Sequence, residues 1–488
     1  MLAGAGAQAQ APGGGLRVTP SFSAEASVLE IRSRPAEPNG LESVLRLTPG
    51  VRITSTSGRV QGSFGYSAVL VRRDGNERTQ GNEWQNQLDA SVVAEAVPGH
   101  AYLDARAAIS QQALSAFGQP VADGTQRNSN RTEARTVALT PYLRSSLGGF
   151  ADAELRASAT GTQTDATGSP DSASAQLALT LASPRRAALL GWGLAASSQR
   201  TRFEGAGRNA ETDRASATLS VNPDIDLRLS VFGGREATNI GFLERKSFDT
   251  YGAGLQWTPS PRTAVELRGE DRFFGRAHSV SVQYRTPRSV WRYTDARDIN
   301  NAADASSVAR SLTLREFYTQ LAAALEPDAT KREALVEQLL RQDTRDPSTL
   351  LGGGALSRGI TLQRRQDASL AYQGIRTTLT LQLFRNDTRE LDGALPALGD
   401  GDFEQTGYAA SLAHRLTPQT SFSLGGGRTI THATDQRAGT DLKTAFATLT
   451  SQLGRRTSGS LGARYSVFNS PTDPYRETAL TASINLLF

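Results

Sequence analysis

Cysteine is absent from the 488 residues, methionine occurs once, histidine four times, and lysine only at Lys246, Lys331 and Lys443. Without cysteine there is no disulfide scaffold, no zinc-thiolate centre and no thiol nucleophile. Long apolar runs are missing too, purely apolar stretches being only a few residues long, such as residues 187–190. A membrane-spanning helix needs roughly 17 to 25 mostly apolar residues in succession, so none is expected. Charge of one sign is also lacking: 53 basic residues face 48 acidic ones, interspersed along the chain. That mixture argues against the basic footprint of a nucleic-acid binder.

What the chain has in abundance is two-residue alternation. Counting back from Phe488, positions Leu486, Ile484, Ala482, Leu480 and Thr478 are apolar or tolerant of lipid, while Leu487, Asn485, Ser483, Thr481, Ala479 and Glu477 are, Leu487 apart, small or polar. A strand with that period has one greasy face and one wet face. Ending it on an aromatic residue resembles the C-terminal assembly signal of bacterial outer-membrane β-barrels, with Phe488, Leu486 and Ile484 as its residues. The same period recurs upstream. Residues 16–26 place Leu16, Val18, Phe22 and Ala24 opposite Arg17, Thr19 and Glu25; Ile225, Leu227, Leu229 and Val231 oppose Asp226, Arg228 and Ser230; and Ile375, Leu379, Leu381 and Leu383 oppose Arg376, Thr378 and Gln382. Soluble antiparallel sheets alternate in this way as well, so the spacing of the breaks has to decide.

Short turns are marked at Ser57-Gly58, Pro98-Gly99, Gly148-Gly149, Ser183-Pro184, Asn222-Pro223, Pro259-Ser260, Pro287-Arg288, Gln373-Gly374, Thr417-Pro418 and Gly454-Arg455. Between consecutive turns lie longer polar stretches, such as residues 72–84, 115–130, 162–171, 203–212 and 386–402. Tight turns alternating with long loops are the habit of bacterial barrels, and one strand on either side of each gives about 22, an even number. The expected fold is therefore all-β: a transmembrane antiparallel up-and-down β-barrel with a small helical hairpin insertion. Its partners would be outer-membrane lipid, lipopolysaccharide and the barrel-assembly machinery, and its location the outer membrane of a Gram-negative cell with both termini periplasmic.

Residues 298–359 break the β period and separate the barrel segments 16–297 and 360–488. Thr313 and Glu316 have capping-box spacing ahead of Leu314, Phe317, Leu321 and Leu325 on one helical face. Pro327 stops that helix, Asp328 caps a second with Leu335, Val336, Leu339 and Leu340 as its stripe, and Asp346-Pro347 ends the unit. A lid or plug for the barrel mouth is the expectation. Residues 1–15 are read as the cleavage end of an export signal, with Ala9-Gln10-Ala11 as its small-x-small pattern, or as an Ala/Gly-rich tail.

Chemistry has little to work with. The histidines are His100, His278, His414 and His432, of which only His432, near Asp435, suggests a base with an orienting carboxylate, and it has no nucleophile of defined geometry beside it. No metal spacing, P-loop or dinucleotide fingerprint is found. The Gly352–354 and Gly425–427 runs lack the strand-turn-helix context of phosphate binding. No enzyme activity, metal or cofactor is expected. The candidate lumen-lining residues are Glu266, Arg268, Glu270 and Arg272 on one strand face, with Asp226, Arg228, Asp104 and Arg106. Such charges either form a hydrated path for a polar polymer or brace the wall through salt bridges, since barrel interiors are generally polar.

Residues 16–488 also resemble the outer-membrane proteins of PEP-CTERM and exosortase exopolysaccharide gene clusters. The resemblance rests on Val18-Thr-Pro-Ser-Phe22, Leu47-Thr-Pro-Gly-Val51, Ala101-Tyr-Leu-Asp-Ala-Arg-Ala-Ala-Ile-Ser-Gln-Gln112, Arg272-Phe-Phe-Gly-Arg276, Val282-Gln-Tyr-Arg-Thr-Pro-Arg-Ser-Val-Trp-Arg-Tyr293, the helical insertion and the terminal Phe. Leu29-Glu30 stands where that family would carry Asp-Asn. The resemblance implies a role in polysaccharide secretion, as export conduit or scaffold, with polysaccharide and secretion-system components as partners. Two other functions are compatible with the barrel: a porin-like nutrient-uptake transporter, though no globular plug domain of the usual size precedes the first strand here, and a surface adhesion or binding protein.

Overall fold

The computed structural model describes residues 15–33, 40–75, 81–119, 128–165, 171–184, 189–204, 209–301, 359–391 and 401–488, and nine helical positions between 302 and 358. Twenty-two strands form one antiparallel sheet in which each pairs with its sequence neighbour and the first pairs with the last. The first quarter comprises β1 (Leu16–Ser33), β2 (Gly40–Ser55), β3 (Val60–Asp74), β4 (Gly81–Val97), β5 (Ala101–Ala113) and β6 (Arg131–Leu147). Next come β7 (Ala151–Thr164), β8 (Ser172–Ala182), β9 (Leu190–Phe203), β10 (Ala210–Asp224) and β11 (Leu227–Thr238). They are followed by β12 (Lys246–Ser260), β13 (Thr263–Arg272), β14 (Gly275–Arg285) and β15 (Ser289–Asn301). Beyond the insertion lie β16 (Ile360–Gln373), β17 (Thr377–Glu390), β18 (Phe403–Arg415) and β19 (Thr420–Thr431). The last are β20 (Thr440–Gln452), β21 (Thr457–Asn469) and β22 (Tyr475–Leu487).

Closure is the physical answer to two unpaired sheet edges. In the seam, Phe22 faces Leu486, Ala24 faces Ile484, Ala26 faces Ala482 and Val28 faces Leu480. The Phe488 N–H donates to the Pro20 carbonyl at 2.9 Å, extending the ladder to the rim. The pairing sets the alternating sets of every strand on opposite faces. The convex face carries Leu139, Leu179, Leu219, Val231, Leu267, Leu383, Leu424, Leu461 and Leu480, all exposed. Towards the two ends this belt gains aromatic rings: Trp257, Tyr284, Trp291 and Tyr372 near the short turns, and Tyr251, Tyr408 and Tyr465 towards the other margin. A continuous apolar surface of this extent is an aggregation hazard in water; flanked by aromatic girdles, it is the lipid-facing belt of a membrane barrel. Among the described residues no helix is long and apolar enough to cross a membrane.

Short turns gather at one end together with the start of β1 and the end of β22. Longer connections occupy the other, apart from the Phe273-Phe274 link between β13 and β14, where Gly275 takes φ +93°. Some boundaries differ from the sequence expectation. The first strand continues to Ser33, well past Ala26. Asn222-Pro223 and Pro259-Ser260 are strand ends, with register shifts between Val221 and Asp224 and between Trp257 and Ser260; proline offers no ladder N–H, so the chain slips there and turns two residues later. Ile225 and Ile375 therefore sit in the turns, not in strands. Asp298 belongs to β15, so the insertion begins beyond Asn301.

The Gly425–427 run lies within β19, not in a loop. A Cβ on Gly425 would meet the Phe446 ring at 2.5 Å, and Phe384 covers Gly407 and Phe232 covers Gly252 at the same distance. Each phenylalanine is the direct cross-strand partner of its glycine on the concave face. A missing side chain lets the ring lie flat along the wall, which eases the bend of a closing sheet. The Ala/Gly-rich residues 1–14, the caps Thr313, Glu316 and Asp328, the first helical stripe Leu314, Phe317, Leu321 and Leu325, and Gly352–354 lie outside the described residues.

Candidate transport lumen

The concave face is lined by the polar half of each alternating strand, and the register carries seven of the eight charged candidates to it, Asp226 lying in the β10–β11 turn. They fall into three groups. The first is a ladder around β13. Arg272 clasps Glu236 with two hydrogen bonds, 2.5 Å from Nη2 to Oε1 and 3.1 Å from Nε to Oε2, and reaches Asp298 with Nη1 at 2.6 Å. Arg214 contacts Glu270, and Arg268 approaches the same carboxylate at 3.4 Å while its guanidinium lies over the Phe232 ring, 4.0 Å from the centroid. Glu236 is fully buried. Three arginines thus meet three carboxylates, which leaves this stretch of wall braced and nearly neutral. Glu266, on the same face but nearer the short turns, is exposed to the lumen.

The second group is Asp226 and Arg228 at the β10–β11 turn. Arg228 donates to Ser220 Oγ at 3.2 Å, and the Asp226 carbonyl accepts from Thr258 N–H at 2.8 Å. The third is Asp104 and Arg106 on β5, paired to each other at 3.2 Å. Sequence reasoning missed Arg214, Glu236 and Asp298, because their partnership with β13 exists only once four strands are in register. Replacing Arg272 with lysine keeps the charge and loses the parallel pair of N–H donors to Glu236. The expected cost is about 1 kcal/mol, read as a lower temperature for loss of the compact band in a detergent gel, with Arg228→Lys unchanged.

Two structures intrude on the lumen. Tyr318, Ala322, Val336, Leu339 and Leu340, helical residues of the insertion, are buried in one cluster with Val290 and Ala371, and Leu335 packs at its edge. Val290 and Ala371 are cross-strand partners. They lie on the face opposite Trp291, one residue above the β14–β15 turn. The insertion leaves the barrel at the end of the long connections, so these helical residues reach the floor of the lumen at its other end. Four of them, Leu335, Val336, Leu339 and Leu340, are the second helical stripe legible in the sequence.

The second intrusion is the connection from β5 to β6. Ala116 and Phe117 are buried, and the Ala116 carbonyl accepts from Gln405 Nε2 at 3.2 Å and from Thr431 Oγ1 at 2.9 Å. Those two residues stand on the concave face of β18 and β19, on the far arc of the barrel. Asn130 holds the strap's shape, donating to the Ser115 and Gln119 carbonyls at 2.8 and 3.0 Å and accepting from Ser115 N–H at 2.8 Å. Nothing in the polar residues 115–130 marks them as a crossing strap.

The four histidines have separate partners. His278 Nε2 meets Asp295 at 3.0 Å, but this pair, shared with Arg364 at 2.8 Å, is on the convex face. His432 faces Thr406 at 3.2 Å and Glu404 at 3.9 Å, not Asp435. His100 contacts the Arg144 carbonyl and His414 the Thr377 hydroxyl, both at the short-turn end. Among the described residues no three His, Asp or Glu side chains are grouped to hold a metal.

No family model and no curated protein sequence matches the chain. Solved structures of similar architecture include the FrpB iron transporter from Neisseria meningitidis (F5-1 variant, apoprotein form), at 10% identity and a TM-score of 0.47 over 96% of this chain and 81% of that one. The siderophore receptor PirA from Pseudomonas aeruginosa is 11% identical with a TM-score of 0.38 over 98% and 81%. OccK5 (OpdH) from the same organism is 11% identical with a TM-score of 0.33 over 96% and 98%. The likeness is one of architecture. The chain is an outer-membrane-type β-barrel.

Proposed function

We propose that this protein is a gated outer-membrane conduit for a polar cargo, held shut from within by the insertion between β15 and β16. The seat of Val336, Leu339 and Leu340 on Val290 and Ala371 carries the reading. Barrels of 22 strands enclose a lumen wide enough to need a plug, and an unobstructed one would leak periplasmic solutes. The wall charges Glu266, Asp104, Arg106 and Arg228 are of both signs, which suits a cargo rich in hydroxyl groups or weakly charged. The short turns and both termini face the periplasm, as in bacterial barrels with short periplasmic turns.

A lumen closed at rest and opened on demand favours uptake of a scarce nutrient. Export of exopolysaccharide is the second reading, supported by the resemblance of Val18–Phe22, Leu47–Val51 and the β14–β15 hairpin to proteins of secretion clusters. A strain lacking the gene separates them. Uptake predicts normal polysaccharide secretion with slower growth when nutrients are limiting; loss of secretion with normal growth overturns uptake and supports export.

A further inference from the structure

We infer that the short-turn rim carries a docking surface for the acidic face of a periplasmic protein. From the β12–β13 turn round to the β20–β21 turn, the rim presents Arg262, Arg288, Arg376, Arg415, Arg455 and Arg456. Arg17 and Arg59 continue the series past the closing seam. All eight are exposed, and among the described residues none is ion-paired. No Asp or Glu occurs in residues 259–265, 284–292, 372–380, 411–423, 449–461, 484–488, 16–24 or 52–64. The other half of the rim is different in kind. It carries Glu95, Asp152, Glu154, Asp224 and Asp226, with Arg185 and Arg186 in the sequence between β8 and β9, and there Arg144 and Arg156 are both bound to Glu154, at 2.7 and 3.0 Å.

Unpaired like charges repel one another and are retained at a cost unless something complementary meets them. Anionic lipid headgroups surround every strand and would exclude carboxylates all round the rim; here carboxylates are absent from one half only. A polymer threading the lumen touches the rim at a point. Hairpins about 10 Å apart spread these arginines along an arc of roughly 60 Å, the width of a folded protein's face. The arc also includes the seat of the plug: Val290 and Ala371, which hold the helical residues, lie directly behind Arg288 and Arg376. A protein docked there abuts the foot of the insertion.

The inference rests on the periplasmic placement of the short turns, which is tested separately: a membrane-impermeant maleimide should fail to label Gly454→Cys in intact cells, and labelling there overturns the orientation alone. For the surface itself, the protein in lipid nanodiscs is titrated with poly-L-glutamate. Arg288→Gln, Arg376→Gln, Arg415→Gln and Arg455→Gln combined should weaken binding by about tenfold or more, and salt should weaken binding of the parent. Arg144→Gln, Arg156→Gln and Arg228→Gln combined should leave it unchanged; equal loss from both sets, or loss from neither, contradicts the proposal. In cells, a photo-crosslinker at Ile375 or Gly454 should yield one acidic periplasmic protein that a crosslinker at Gly99 or Gly149 does not, and that the fourfold variant loses. Adducts only to lipid or polysaccharide, or the same protein from both halves of the rim, overturn it.

Discussion

Replacing Val336 and Leu340 with aspartate turns a barrel that passes almost no current into an open pore. Val336, Leu339 and Leu340 are buried against Val290 and Ala371, and burying a Val or Leu side chain contributes about 1.5 to 3 kcal/mol. The three together hold the insertion in the lumen by roughly 5 to 9 kcal/mol on that scale. Two carboxylates at the same positions find no partner in this apolar seat and oppose it by several kcal/mol each (~2 to 7). The helical residues then leave the floor, and planar-bilayer recordings should show large, long-lived openings that the parent lacks. Removing residues 302–358 should give the same openings. Currents identical to the parent in both variants would mean that the insertion does not close the path.

Arginine at Leu267 should sharply reduce the amount of assembled barrel, while arginine at Glu266, one residue away, should leave assembly near normal. Leu267 lies on the convex face between Leu255 and Val280, and Glu266 on the concave face between Gln256 and Ser281. One step along a strand moves a side chain from one face to the other. A cation facing lipid near the bilayer midplane costs about 2 to 4 kcal/mol, whereas a lumen substitution is solvated. Folding into lipid vesicles, followed by the heat-modifiable shift in a gel, reads the difference. Equal yields for the two variants would show that the convex face is not in lipid.

How much of this was written in the sequence depends on the range over which each feature is set. Alternation is local, so the strands, their lipid faces and the closing strand ending at Phe488 were legible, and the alternation of short and long breaks led to the strand number. Boundaries at Pro223 and Pro259 were misplaced because a proline reads as a turn, whereas a register slip lets it end a strand. Asp298 looked like the start of the insertion, yet it continues β15 and accepts from Arg272. The lumen ladder was half legible. The period of β13 put Glu266, Arg268, Glu270 and Arg272 on one face, but Glu236 and Arg214 lie far away in sequence and meet them only through pairing across β10 to β13. The second helical stripe was visible as a 3.6-residue period; that its seat is Val290 and Ala371 is a tertiary fact no period encodes. The same holds for Ala116, whose partners Gln405 and Thr431 follow it by 289 and 315 positions.

Which face of the wall meets lipid decides whether the chain is a transmembrane barrel. Absence of native cysteine allows single cysteines at each position from Leu379 to Phe384 in β17 to carry a spin label, one at a time, with the protein in nanodiscs. Leu379, Leu381 and Leu383 should collide with oxygen dissolved in lipid and be shielded from a water-soluble nickel chelate, and Thr380, Gln382 and Phe384 should be shielded from oxygen. A two-residue oscillation in that accessibility is the predicted result; six labels equally accessible to the nickel chelate would contradict a transmembrane barrel.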